Sequence, residues 1–342
     1  MPDMVLDDSY ISFRYARNLV RGHGLVYNVG EHVEGYTNFL WTLAVAGGMA
    51  AGADPEPTAE ILAGLAAVGT ILLLAALGRR LIHGAFAGPV RFLPPILFAA
   101  IGSQARHVVS GMETLLFVFL VLAGFACLFH PTRRSDPRDT SSTAAGGISD
   151  PRALAAGSLF GLAALTRPEG LLYAGIAALH VAWEGQAGRR TGASLLARFR
   201  PAALLGGAVL AFVVPHLGWR WSYYGYPLPN TYYAKVAGPL PERLARGWGA
   251  LSRGMEDWNI WPILALALLA LPAVRRERYW TSFYVVALAT WASFLLVGGD
   301  FVHSFGPRLL MPALPFVLLL AAEGLRLAAS ALAGWIHRPR AV

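Results

Sequence analysis

Thr58-Ala59-Glu60-Ile61-Leu62-Ala63-Gly64-Leu65-Ala66-Ala67-Val68-Gly69-Thr70-Ile71-Leu72-Leu73-Leu74-Ala75-Ala76-Leu77-Gly78-Arg79-Arg80 is an apolar run closed by two arginines. Its length is that of a helix crossing a bilayer, roughly 20 residues. Lipid offers no partner to a free backbone N–H or C=O, so a run of this kind is helical. The pattern recurs along the chain. Nine spanning helices are expected, at roughly 58–78, 91–109, 114–130, 153–166, 169–184, 201–221, 258–274, 279–297 and 308–334. The fourth and fifth share the break Thr166-Arg167-Pro168-Glu169-Gly170, where proline ends one helix and opens the next. The fold class is all-α, a polytopic membrane helical bundle.

Composition agrees. Of 342 residues, 56% are hydrophobic and 14% charged, with mean hydropathy +0.49. A soluble globular chain lies nearer half apolar and a quarter charged. The net charge of +8 is almost all arginine, since Lys235 is the sole lysine. The arginines sit in short clusters between apolar runs, which is the signature of cytoplasmic loops and not of one basic face. No nucleic-acid partner is expected. Cys127 is the only cysteine and lies in an apolar run, so an intramolecular disulfide and a cysteine metal cluster are excluded. Met1 is followed at once by polar, acidic sequence, which predicts no cleavable signal peptide.

Arginine also sets orientation. The clusters at 79–80, 133–138, 189–200, 275–278 and 338–340 fall in alternate loops, which should be cytoplasmic. The other loops hold most of the carboxylates and should be external. Residues 36–52 are apolar enough to span, but spanning would place every later arginine cluster outside. They read as an interfacial or re-entrant helix on the external side. Residues 1–57 thus form a first external loop and 58–342 a transmembrane domain. Residues 131–152, rich in Ser, Thr, Asp, Arg and Gly, read as a flexible cytoplasmic loop. The largest external loop is 223–257, with an amphipathic piece near Leu240–Met255.

Several external residues are equipped for chemistry. Asp7 and Asp8 precede a helical pattern with apolar residues at 11, 15, 16 and 19. Either acid can cap that helix and favour its dipole. Alternatively, the pair is a carboxylate site at the membrane surface, a general base or a metal ligand, with Arg14 following. Glu34 precedes an aromatic, apolar helix that begins Tyr36-Thr37-Asn38, and Glu113 opens a span in Ser110-Gly111-Met112-Glu113-Thr114. Each has a plain helix-start reading beside the functional one. Tyr223–Lys235 combines interfacial tyrosines with Pro227-Leu228-Pro229-Asn230-Thr231 and the lone lysine, which suits a phosphate as a point charge. Gly298–Arg308 joins the last two spans and holds Asp300, His303 and Arg308. There Arg308 either serves a site or snorkels to the interface.

Taken in order, these segments resemble bacterial GT-C glycosyltransferases that use polyprenyl-phosphate sugars, above all the actinobacterial terminal arabinofuranosyltransferases. The motifs are Asp7–Leu19, Gly22–Asn28, Val33–Trp41, Ser110–Thr114, Leu165–Gly170, Tyr224–Thr231 and Gly298-Gly299-Asp300. The resemblance implies catalytic acids at Asp7 and Asp8. It implies a second external acid at Glu113 and, by likeness to aminoarabinose transferases, a metal near Glu34. It implies an external active site on the bacterial cytoplasmic (inner) membrane. Donor phosphate is expected on Arg14, Lys235 and Arg308. Sugar or acceptor is expected on Tyr36, Asn38, Asn230 and Asp300, and a divalent cation (Mg, Mn or Ca) on Glu34, Glu113 and His303. The expected partners are a polyprenyl-phosphate sugar donor, a cell-envelope glycan or lipid acceptor, and the bilayer. The family carries a transmembrane helix before the acidic pair, whereas this sequence starts just before it, so a missing first helix is expected. The competing readings are a lipid or sugar transporter, which would place ionisable groups at mid-membrane, and a truncated, non-catalytic homologue.

Overall fold

In the computed structural model, residues 5–129, 148–186, 194–226, 239–257, 259–299 and 307–336 are described. Among them the regular structure is helical throughout: α1 (Asp7–Val20), α2 (Phe39–Ala50), α3 (Pro55–Leu81), α4 (Ala87–Val90), α5 (Leu93–Ala100), α6 (Gly102–Val109), α7 (Thr114–Leu128), α8 (Asp150–Thr166), α9 (Gly170–Gly185), α10 (Leu195–Tyr224), α11 (Leu240–Asp257), α12 (Trp261–Leu268), α13 (Arg278–Val297) and α14 (Leu314–Ile336). Short 3₁₀ turns at Leu271–Arg275 and Arg308–Ala313 follow α12 and precede α14.

The quoted stretch folds as expected. Pro55 sits in the first turn of α3, where its missing N–H costs nothing, and Arg79 and Arg80 sit in the last. Ile61, Leu65, Val68 and Leu72 lie outward, each more than half exposed, while Ala59, Ala63, Ala66 and Thr70 are buried. Large apolar side chains face out and small ones face in, the arrangement of a helix solvated by lipid. The central helices differ. α7 and the first half of α14 are apolar and buried nearly all round. Phe125, Phe160, Phe283 and Phe316 meet edge to face between them, at centroid distances of 5.1–5.5 Å.

This is a multi-pass membrane protein. Among the described residues, four helices are long and apolar enough to cross: Pro55–Leu81, Leu195–Tyr224, Arg278–Val297 and Arg308–Ile336. A fifth arises if α11 and the α12 segment, bent by 95°, are one span. The run 91–109 is not one helix. It breaks at Ile101, which has extended backbone, into α5 and α6. The run 258–274 stops as an α-helix at Leu268 and continues as the 3₁₀ turn. Apolarity over such lengths cannot distinguish one helix from two. The break at Thr166–Gly170 is present, as is the amphipathic α11. The segment 36–52 forms the 12-residue α2, shorter than the roughly 20 residues a crossing needs.

Glu323 stands apart from the carboxylates expected in the external loops. It is buried in α14 and takes both oxygens to Arg326, at 2.7 and 2.5 Å. The two charges neutralise each other one turn apart on the same helix.

Candidate active site

The turn before α7 organises one face of the bundle. Gly111 has φ +75°, and a Cβ there would stand 2.9 Å from the Ser9 side chain. Glycine therefore lets this turn lie directly on α1. The Ser110 carbonyl accepts from the Leu6 N–H at 3.1 Å, and the Gly111 carbonyl accepts from Trp41 Nε1 at 3.0 Å. α1, α2 and the start of α7 are thus pinned together, and Glu113 points into the seam.

Glu113 is 2% exposed. Arg167, from the break between α8 and α9, donates to its Oε1 at 2.6 Å. Asn38 donates to its Oε2 at 2.8 Å. Burial alone would raise the carboxyl pKa; the charges of Arg167 and Arg308 and the Asn38 bond outweigh it and hold the group below the usual range. Asn38 is itself fully used, since its Oδ1 accepts from Ser12 and Thr42. Arg167 also meets Glu169 at 3.5 Å.

Asp7 and Asp8 stand at the exposed edge of this face. Helix α1 begins at Asp7, its N-cap is Leu6, and neither acid supplies a cap hydrogen bond. The capping reading is therefore set aside. Both acids lie in the first turn, where the dipole favours their charge. Asp8 is paired with Arg308 at 3.4 Å, the acid half exposed and the arginine buried. Arg308 and Arg167 both line a narrow cleft with Glu169, Thr114, Tyr173 and Thr290. The cleft therefore has two guanidinium groups in its wall, one of them paired with Asp8 from the first turn of α1.

The remaining expected residues divide. Arg14 is engaged by residues 27 and 28. It donates to the Tyr27 carbonyl at 2.7 Å and to Asn28 at 3.3 Å, and stacks over the Tyr27 ring. Tyr36 is buried, with its hydroxyl 3.3 Å from that of Tyr224. Glu34 is buried and faces Arg220 at 3.0 Å. Burial pushes its pKa up to about 7, against the pull of Arg220. Asn230, Lys235, Asp300 and His303 lie outside the described residues. A metal would need several hard donors converging. Glu34 and Glu113 face separate arginines, and no group of three His, Cys, Asp or Glu side chains suited to a cation occurs among the described residues.

Sequence reasoning missed Arg167, Arg220 and His107. The last is fully buried, with Arg308, Glu113 and Arg167 among its electrostatic neighbours. One signal was available. A charged residue between apolar helices must find a counter-charge, and Arg167 stands in such a place.

No family model matches the chain. It does superpose on ArnT from Cupriavidus metallidurans in the apo state, with a TM-score of 0.67 over 96% of this chain and 58% of that one, at 17% identity. The chain has the GT-C fold. ArnT bound to undecaprenyl phosphate superposes with a TM-score of 0.64. In sequence, the chain is similar to terminal β-(1→2)-arabinofuranosyltransferases. The Mycobacterium tuberculosis protein is 27% identical over 289 residues, covering 80% of this chain and 42% of the relative. That of Corynebacterium glutamicum is 26% identical over 343 residues, covering 92% and 47%. The chain thus spans less than half the length of these curated relatives. The likeness drawn from the acidic and aromatic motifs is borne out.

Proposed function

We propose that this GT-C chain is a glycosyltransferase that moves a sugar, arabinofuranose by likeness to its relatives, from a polyprenyl-phosphate donor to a cell-envelope glycan or lipid acceptor. The reaction takes place on the external face of the bacterial cytoplasmic membrane. One observation carries the reading: two exposed carboxylates share the first turn of α1, and one of them, Asp8, is paired with an arginine of a cleft whose wall holds two arginines. A lipid-phosphate sugar needs those elements together. Its tail needs lipid-facing helices, its phosphate needs positive charge, and the acceptor hydroxyl needs a base.

In this reading Asp7 takes the acceptor proton as the hydroxyl attacks the anomeric carbon. Asp8 stands beside it as the alternative base and holds Arg308. General-base assistance of this kind contributes roughly 10²–10⁴ in rate. Arg308 and Arg167 face the phosphate as its bond to the sugar breaks, and preorganised charge at that oxygen is the larger effect. Lys235 and Asp300 remain candidates for phosphate and sugar, and His303 for a divalent cation. No step depends on that cation.

The test is transfer in proteoliposomes given labelled polyprenyl-phosphate arabinofuranose and a glycan acceptor. The expected result is label on the acceptor. Movement of intact donor between leaflets without transfer would replace this reading with the transporter.

A further inference from the structure

Asn38 is a buried polar side chain to which the proposed reaction gives no task. It is the N-cap residue of α2, yet its side chain makes no cap hydrogen bond. The local use that favours asparagine at such a position is forgone. Instead its amide nitrogen donates to Glu113 Oε2 at 2.8 Å, and its amide oxygen accepts from Ser12 Oγ at 3.1 Å and Thr42 Oγ1 at 3.2 Å. All four side chains are buried. An ionised carboxylate only accepts, so the nitrogen has to face Glu113 and the oxygen the two hydroxyls. No other side chain of this length offers a donor on one side and an acceptor on the other. Aspartate would set a second carboxylate against Glu113, and leucine would take away the partner of its Oε2.

These bonds join the two halves of the site. Ser12 stands one turn beyond Asp8 on α1. Glu113 gives its other oxygen to Arg167 at 2.6 Å, and Arg167 lines the cleft. Arg308, also in the cleft wall, returns to Asp8 at 3.4 Å. The helix of the exposed acids and the arginines of the cleft are thus connected from both sides, and Asn38 is the joint between α1 and Glu113. A carboxylate pinned at Oε2 has a fixed direction at Oε1, and the planar guanidinium bonded there takes its direction from it.

We infer that Asn38 is a positioning residue: by pinning Glu113 it aims the Arg167 guanidinium into the cleft, where that group meets the donor phosphate. The inference rests on the transferase reading and gives the amide no contact with substrate. A misplacement of about 1 Å in such a group lowers a rate on the order of 10²-fold.

The experiment exchanges donor and acceptor in the full chain. Asn38→Asp sets two carboxylates face to face, and such a pair keeps one shared proton until the pH rises through its upper pKa. The double variant Asn38→Asp with Glu113→Gln inverts the hydrogen bond and restores a single charge. The probe is polyprenyl phosphate, the donor lipid without its sugar. Its Kd is measured in detergent across neutral pH, beside a melting curve and the transfer assay, and each value is divided by that of the wild type at the same pH. For Asn38→Asp the ratio should climb about tenfold per pH unit once the shared proton is lost. In the double variant this dependence should vanish, and Kd should return to within about tenfold of the wild type. A ratio for Asn38→Asp that stays constant with pH, or a double variant as weak as the single one at high pH, would overturn the inference. Should Asn38→Asp not fold, the double variant decides alone: binding supports the inverted bond, and failure to fold or to bind overturns it. A wild type that binds polyprenyl phosphate without transferring sugar would refute the transferase reading and leave the Kd ratios to judge Asn38. A wild type that does not bind it would overturn both.

Discussion

The carboxylates at the start of α1 and those at Glu113 and Glu34 form a contrast within one face of the molecule. Asp7 and Asp8 are exposed, and of the two only Asp8 carries a described ion pair, a long one to Arg308. Glu113 and Glu34 are almost completely buried and each faces an arginine from a distant part of the chain, Arg167 and Arg220. A buried, paired acid fixes where its helices sit, and removing its partner leaves an uncompensated charge. An exposed acid costs the fold little and can reach an incoming hydroxyl. The contrast therefore separates groups that hold the frame from groups that can react.

Substitution can break this division. The largest effect falls on the exposed pair. Asp7→Asn should lower transfer by roughly 10²–10⁴ while the thermal midpoint stays at that of the wild type, read by a transfer assay beside a melting curve. Glu113→Ala should do the opposite first. It removes the shortest ion pair of the buried Arg167 and should cost about 3–5 kcal/mol of stability, measured by unfolding in detergent. Replacing both residues, Glu113→Leu with Arg167→Met, should recover most of that loss without restoring transfer.

Glu34 sharpens the comparison through pH. Its folded pKa is raised to about 7 from 4.5, so the folded state binds the proton more tightly than the unfolded chain. The associated stability is complete below about pH 4.5 and is lost as pH rises through about 7. That loss amounts to about 3 kcal/mol at 1.36 kcal/mol per pKa unit. Glu34→Gln should flatten this part of the profile, and an unchanged slope would show that Glu34 is not the titrating group. The smallest effect belongs to the link between the two classes. Arg308→Ala should raise the donor KM about tenfold, equivalent to ~1.4 kcal/mol, with little change in melting temperature.

Much of this was legible in the sequence, and the remainder has a physical reason. α1, α3 and α11 were readable because periodicity and flanking charge speak locally. The break at Thr166–Gly170 was readable because Pro168 cannot continue a helix. The division of 91–109 at Ile101 was not, since apolar composition has no term for where a helix bends. The site was half legible. Asp7, Asp8 and Arg308 stood out as polar groups in external loops. Arg167 meets Glu113 across 54 residues of chain, and a pairing at that separation leaves no local mark. Asn38 and Tyr36 were expected to touch substrate, whereas both are buried and committed to protein partners. Their residue types are the same in either role.

The central claim is that Asp7 lies open on the external surface where donor and acceptor meet. It is tested most directly by Asp7→Cys with Cys127→Ala in intact cells, probed with a membrane-impermeant maleimide. The account predicts rapid labelling from outside, slowed when polyprenyl-phosphate donor is added. Labelling only after the membrane is permeabilised would contradict it.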